Sequence, residues 1–327
     1  MNAFTRRNFI ITALALSASS MSGSVLANDT YPNRSIRLVV PYAAGGGSDF
    51  VGRLIAQKLT ETMNWNVIVD NKAGASGMIG TDVVAKSAPD GYTILLADTA
   101  HATNAAVAPK LSFDPIKDFA PITLVGSSPQ LLVAHPSFPA NNLDELLALP
   151  KEQVSQYGVG SPGQGSAPHL LYEMLKLKTG VELVHVPYKG GAMALNDAIG
   201  GQIPMVINSM PACMPHIEAN RLKVLAIASP ERHPKLPNVA AISEKAPGIV
   251  GSAWYGFMAP AQTPPAVLNE LDTALQKVLA LPEVKARLAD AFIDPMPGGP
   301  QAFSTLLGEE ITRFKDVVKQ TGVTQGS

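Results

Sequence analysis

The 327 residues are 46% hydrophobic and 16% charged, the profile of a folding chain rather than a disordered one. Twenty-five basic and 26 acidic side chains leave a formal net charge of -1, which argues against a broad electrostatic footprint for nucleic acid. The one cysteine, Cys213, excludes a disulfide framework within the chain and a zinc site of several thiolates. The length suggests about two domains.

Arg6 and Arg7 open a charged N-terminus, an apolar stretch runs from Phe9 to Leu16, and small residues continue through Ser24. Val25-Leu26-Ala27 fits a small-x-Ala cleavage site, so residues 1–27 read as a cleaved secretory signal and the mature protein as soluble. Thr5-Arg6-Arg7-Asn8-Phe9-Ile10 approximates a twin-arginine motif without a basic residue after the apolar pair, so Sec and twin-arginine export both stand. Removing the two arginines takes the formal charge from -1 to -3.

The branched apolar run Ile36–Val40 predicts a buried strand. Pro41-Tyr42-Ala43-Ala44-Gly45-Gly46-Gly47-Ser48-Asp49 breaks it, and a helix follows with Val51, Leu54, Ile55, Leu59 and Met63 on one face. Further strands are predicted at 67–69, 93–97, 122–125 and 131–134. The device then recurs. A short strand at 157–159 meets a second glycine loop, Gly160-Ser161-Pro162-Gly163-Gln164-Gly165-Ser166, and a helix carrying Leu170, Leu171, Met174 and Leu175. Strands at 181–186, 204–207 and 222–228 follow. Alternating strands and helices favour parallel sheet covered by helices. Pro264 and Pro265 suit a helix start, and the remaining chain is helical, with apolar stripes that read as core.

Catalysis has no positive signal. Gly158-Val159-Gly160-Ser161-Pro162-Gly163 matches GxGxxG in letters, but Pro162 interrupts it and no acid stands at the end of the next strand. Gly74-Ala75-Ser76-Gly77-Met78 lacks the last glycine of a nucleophile elbow. The six histidines form no close ligand pair, and no metal or cofactor is expected. What the glycine loops offer is anion binding. Backbone comes close where glycine stands, and the first helix amides point outward without internal partners under a favourable dipole. Each loop alone is also an ordinary tight connection, with Ser48 and Ser166 as caps.

Val39-Val40-Pro41-Tyr42-Ala43-Ala44-Gly45-Gly46-Gly47-Ser48-Asp49 resembles the first loop of Bug-type receptors, the extracytoplasmic substrate-binding proteins of tripartite tricarboxylate transporters. Matching stretches continue at 71–77, 88–93, 118–122, 186–190 and 254–257, over essentially the whole mature chain. The resemblance implies an α/β type II periplasmic-binding fold: two α/β lobes, two crossing strands and a ligand cleft between. It implies a small-carboxylate receptor, not an enzyme, with membrane transporter subunits as partners and no cofactor. Residues 31–127 and 254–327 are expected to form one lobe and 128–253 the other, in a periplasmic monomer.

Carried onto this chain, the resemblance assigns ligand contacts to Tyr42, Ala43, Gly45, Gly46, Gly47, Ser48, Asp49, Ala75 and Ser76 in the first lobe. In the second it assigns Ser161, Gly163, Gln164, Gly165, Ser166, Ala167 and His169, with Tyr188 and Lys189 nearby. Ala100-His101-Ala102-Thr103-Asn104 departs from the usual Thr/Ser-rich stretch, and His101 stands as either a ligand contact or a turn residue. Two alternatives to a transport receptor remain open at this level: a ligand sensor for a receptor kinase, and a small periplasmic enzyme on the same scaffold.

Overall fold

The computed structural model describes residues 31–296 and 298–324. The expected export signal, residues 1–27, lies outside them. Strand β1 (Ile36–Val40) is buried at four of its five positions, as a strand covered on both faces requires. Helix α1 (Gly47–Met63) turns Val51, Leu54, Ile55 and Leu59 inward and stops at Asn64, which takes the left-handed conformation at φ 56°. Then come β2 (Val67–Asn71), a 3₁₀ turn (Ala75–Gly77), α2 (Met78–Ala85), β3 (Thr93–Asp98), α3 (Thr99–Val107) and β4 (Phe119–Ala134).

The middle of the chain forms α4 (Leu143–Ala148), α5 (Lys151–Val154), β5 (Gly158–Ser161), α6 (Ala167–Thr179), β6 (Val184–Pro187) and α7 (Gly191–Ile199). It continues through β7 (Met205–Ser209), α8 (Met210–Glu218), β8 (Lys223–Ile227) and α9 (Ile242–Lys245). The chain then returns as β9 (Ser252–Pro260), α10 (Pro265–Leu279), α11 (Pro282–Asp290), β10 (Asp294–Pro295) and α12 (Pro300–Thr321).

These strands make two sheets that share β4. In the first, β1 pairs parallel with β2 and β3, β9 runs antiparallel between β3 and β4, and β10 borders β4. In the second, β4 lies antiparallel between β7 and β8, while β5 pairs parallel with β6 and β7. Strand β4 is 16 residues long and changes sheet partway along: Phe119 to Pro129 pair with β9, and Gln130 to Ala134 with β7.

The predicted strands at 122–125 and 131–134 are therefore one. Gly126-Ser127-Ser128-Pro129 has turn composition, yet it is strand here for tertiary reasons. A side chain at Gly126 would meet the Asp294 carbonyl at 2.5 Å, so glycine is what lets β10 dock. The β4–β9 register also slips twice in this stretch, between Pro121 and Thr123 and between Leu124 and Gly126, as bulges do.

The C-terminal helix α12 packs on α3 and β4 and reaches α6. Its Phe303 is fully buried, edge-on to Trp254 with ring centroids 5.3 Å apart. Opposite lies Gly256, where a Cβ would stand 2.5 Å from the Phe303 ring. The ring thus occupies space that a missing side chain leaves in β9. Phe303→Ala is expected to cost about 3–5 kcal/mol of stability. Urea unfolding measures it, and a loss below about 1 kcal/mol would show that the seam carries no such weight.

Candidate functional site

Helices that follow parallel strands begin at the carboxyl edge of the sheet, and ligands in open α/β folds bind there. Strands β3, β5 and β7 end at Asp98, Ser161 and Ser209, and β1 ends at Val40, just before the first glycine loop. These ends surround a cavity of about 480 Å³. Five helices, α1, α3, α6, α7 and α8, start on its wall through Gly46–Ser48, Thr99–Ala100, Ser166–Pro168, Gly191 and Ser209. Each brings the positive end of a helix dipole, but only α1 and α7 begin without a side-chain cap or a first-turn proline: Asp98 takes Ala100 N in α3, Ser166 takes His169 N in α6, and α6 and α8 carry proline there.

The two glycine loops are not equivalent. Helix α1 has no side-chain cap; its first internal bond runs from Phe50 N to Gly46 O, so the amides of Gly47, Ser48 and Asp49 come before it. Helix α6 is capped by Ser166, whose hydroxyl accepts from His169 N and donates to the Gly163 carbonyl at 2.7 Å. In that loop Gly163 N donates to Ser161 Oγ, Gly165 N to His169 Nδ1 and Ser166 N to Gly163 O. Gly165 sits at φ 72°, with Val107 methyl groups packed where a Cβ would go. The second loop is thus braced internally, and the first holds its amides open.

Among the described residues lining the cavity there is no lysine, arginine or histidine, and Asp98 is the one carboxylate. Tyr42 Oη donates to its Oδ1 at 2.8 Å, Ser48 Oγ to Oδ2 at 3.0 Å and Ala100 N to Oδ1 at 2.9 Å. Burial raises the carboxyl's pKa in spite of those donors. Burial, then the adjacent Asp98 charge, raises the Tyr42 phenol well above its usual value.

Of the expected site residues, Tyr42, Gly46, Gly47, Ser48, Ser76, Gly163, Gln164, Gly165, Ser166 and Ala167 all line this one cavity. Ala43, Ala75 and Ser161 are not in its lining: Ala43 and Ala75 are exposed and Ser161 is buried. Ala75 and Ser76 hold φ of 47° and 52°, strained for residues with a Cβ, and Asn104 Nδ2 pins the Ser76 carbonyl at 2.9 Å. Gly45 and Asp49 face a separate depression with Arg53 and Arg287. There Asp49 accepts from Arg53 Nε, Gly45 N and Asn71 Nδ2, each at 2.9 Å. The Arg53 hydrogen bond leads in holding its carboxyl down at about 2, so the charge is spent away from the cavity. Tyr188 donates to Asp197, and Lys189 is exposed outside the lining.

His101 is placed away from the cavity. Ala100, Thr103 and Asn104 form one face of α3 and line the cavity, while residue 101 turns to the opposite side. There His101 Nε2 donates to the Pro115 carbonyl at 2.8 Å, and the ring packs edge-on against Phe119. Desolvation lowers its pKa. Asp98, Thr99, Thr103, Gln130, Asn208 and Ser209 line the cavity and were not expected there. The signal that would have found most of them is the end of each parallel strand, not glycine content.

His169 belongs to the support of the second loop. Its ring stacks on His185 at 3.6 Å between centroids and 4° between planes. Because Nδ1 accepts from Gly165, Nε2 carries the proton and faces Glu173 Oε1 at 3.4 Å. His185 Nε2 lies 2.7 Å from the buried Ser161 hydroxyl. Burial, with the neighbouring His169, pushes the His185 imidazole down from 6.5 to about 4. The unfolded chain therefore binds more protons between these values, and stability is lost as pH falls from about 6.5 towards 4. The melting temperature is expected to drop across that window and to flatten there in His185→Asn. An equally steep profile in the variant would exclude His185 as the source.

Residues 51–323 match the model of the tripartite tricarboxylate transporter family receptor. The chain is 34% identical to Protein BugT of Bordetella pertussis over 97% of this chain and 98% of that one. The structure of Rpa4515 of R. palustris, solved with adipate, superposes with a TM-score of 0.81 at 33% identity, covering 90% of this chain and 99% of that one. MatC of Rhodopseudomonas palustris, solved with bound malate, gives a TM-score of 0.77 at 31% identity over 88% and 100% of the two chains. The two helix-covered sheets, the crossing strand and the cleft are those of an α/β periplasmic-binding fold with two lobes. The chain belongs to the tripartite tricarboxylate transporter receptor family.

Proposed function

We propose that this protein is an extracytoplasmic receptor that binds a small carboxylate between two lobes and delivers it to the membrane subunits of a tripartite transporter. One observation carries the reading: five helices begin on a single cavity that, among the described residues, no basic side chain lines. Such a site holds an anion by converging amides and dipoles. The ligands of the two R. palustris relatives, adipate and malate, are both small dicarboxylates and support that class.

The reading includes export with cleavage after Ala27, action as a monomer, and binding without catalysis. The lobes divide near residues 128 and 253, where β4 and the start of β9 run beside each other. Ligand touching both glycine loops favours the closed arrangement, because only that arrangement makes both sets of contacts. Among the described residues no helix is long and apolar enough to cross a membrane.

Calorimetry of the mature chain against mono-, di- and tricarboxylates tests the reading, and no binding across the set would sink it. Gly46 is the clean probe of the cradle, because a Cβ there meets nothing within 4 Å and the fold has no reason to yield. Gly46→Val is expected to weaken binding by about tenfold or more, roughly 1.4 kcal/mol, with an unchanged melting temperature. Lys189→Met is expected to stay within about threefold of the parent, less than 1 kcal/mol. The reverse order would place the affinity in the lysine rather than the amides.

A further inference from the structure

The cavity has a donor side and an acceptor side. Donors are the uncapped amides at the starts of α1 and α7. The acceptor side is built around Asp98. The hydroxyl protons of Tyr42 and Ser48 are both committed to its carboxylate, so towards the cavity these hydroxyls have only lone pairs to offer. Asp98 Oδ1 already accepts twice, from Tyr42 and Ala100, whereas Oδ2 accepts once, from Ser48. One acceptor position on Oδ2 therefore remains. Nearby, Gln130 is buried on β4, lines the cavity and has its amide oxygen unpartnered.

We propose that Asp98 is a specificity-determining residue, selecting an anion that carries its own hydrogen-bond donor, an ammonium or hydroxyl beside a carboxylate, over an unsubstituted diacid. This rests on the receptor reading above. A bare carboxylate lying against this wall sets two negative groups together and leaves the remaining lone pairs of Tyr42, Ser48 and Asp98 Oδ2 without a donor. A ligand with an ammonium or hydroxyl fills the vacant lone pair while its carboxylate meets the helix amides. A site built to accept a donor discriminates strongly against analogues that lack it.

Matched ligand series isolate the effect. Succinate, malate and aspartate differ only in carrying hydrogen, hydroxyl or ammonium on one carbon; glutarate, 2-hydroxyglutarate and glutamate repeat the contrast one methylene longer. Calorimetry on the mature chain is expected to show the hydroxy or amino member of the better-fitting series binding at least about tenfold tighter than its unsubstituted parent. The hydroxy and amino arms identify which donor is taken. Asp98→Asn keeps the side-chain size and an oxygen for the Ala100 amide, and it is expected to shrink that ratio towards one, most sharply for ammonium. An unsubstituted diacid that binds as tightly as its substituted partners overturns the proposal while leaving the receptor reading in place. A ratio unchanged in Asp98→Asn overturns the role of Asp98. If the variant does not fold, the ratio in the parent protein decides the donor requirement alone. If no carboxylate of any length binds, the receptor reading falls and this inference with it.

Discussion

Amides at the start of a helix have no partner inside it, and parallel strand–helix units place all such starts on the same edge of the sheet. Most of the site follows from that constraint. With strands β1 and β3 in one sheet and β5 and β7 in the other, four carboxyl ends gather around one space. The helices leaving them turn positive ends towards it. Strand β4, paired in both sheets, brings the two edges to face each other. The result is a cavity edged mainly by backbone at helix starts, the arrangement on which the proposed anion site rests.

Apart from Asp98, the ionisable side chains around this space are arranged so as not to cancel it. Asp49 stands in the first turn of α1, where a free carboxylate would compete with an incoming anion. Instead it is turned to the far side and tied to Arg53 and Asn71. Asp98 does face the cavity, but three donors from the protein already surround it. The histidines are held out as well. His101 is enclosed by Phe113, Phe119 and the Pro115 carbonyl, and His169 and His185 are stacked behind the second loop.

Much of the fold was legible in the sequence, because alternating periodicity and glycine punctuation are local signals. Strand β1, helix α1 and the C-terminal helices fall where the apolar pattern puts them. The 126–130 stretch was not legible, because its turn-like residues are strand only by virtue of partners more than a hundred residues away. Ten of the expected site residues share one cavity because glycine loops announce a close backbone approach. Asp98, Asn208 and Ser209 carry no such flag; an acid or an amide at the end of a strand looks like any turn residue until the sheet order is known. His101 misled for the opposite reason. Its residue type suggests chemistry, and only the helical phase relative to Ala100 shows that it turns into the core.

A cradle of backbone amides has a consequence for how such a protein diverges. Almost any residue at a helix start still supplies its N–H, so a single codon change seldom removes a donor; only added bulk or proline does. The side chains around the cradle are under no such restriction. Gene duplicates can therefore exchange residues at positions such as 98, 103 and 104 and retune discrimination without first losing the capacity to hold a negative charge. On the proposed reading, affinity and selectivity are written in separable parts of the chain, which is the condition under which one scaffold can radiate over many acids.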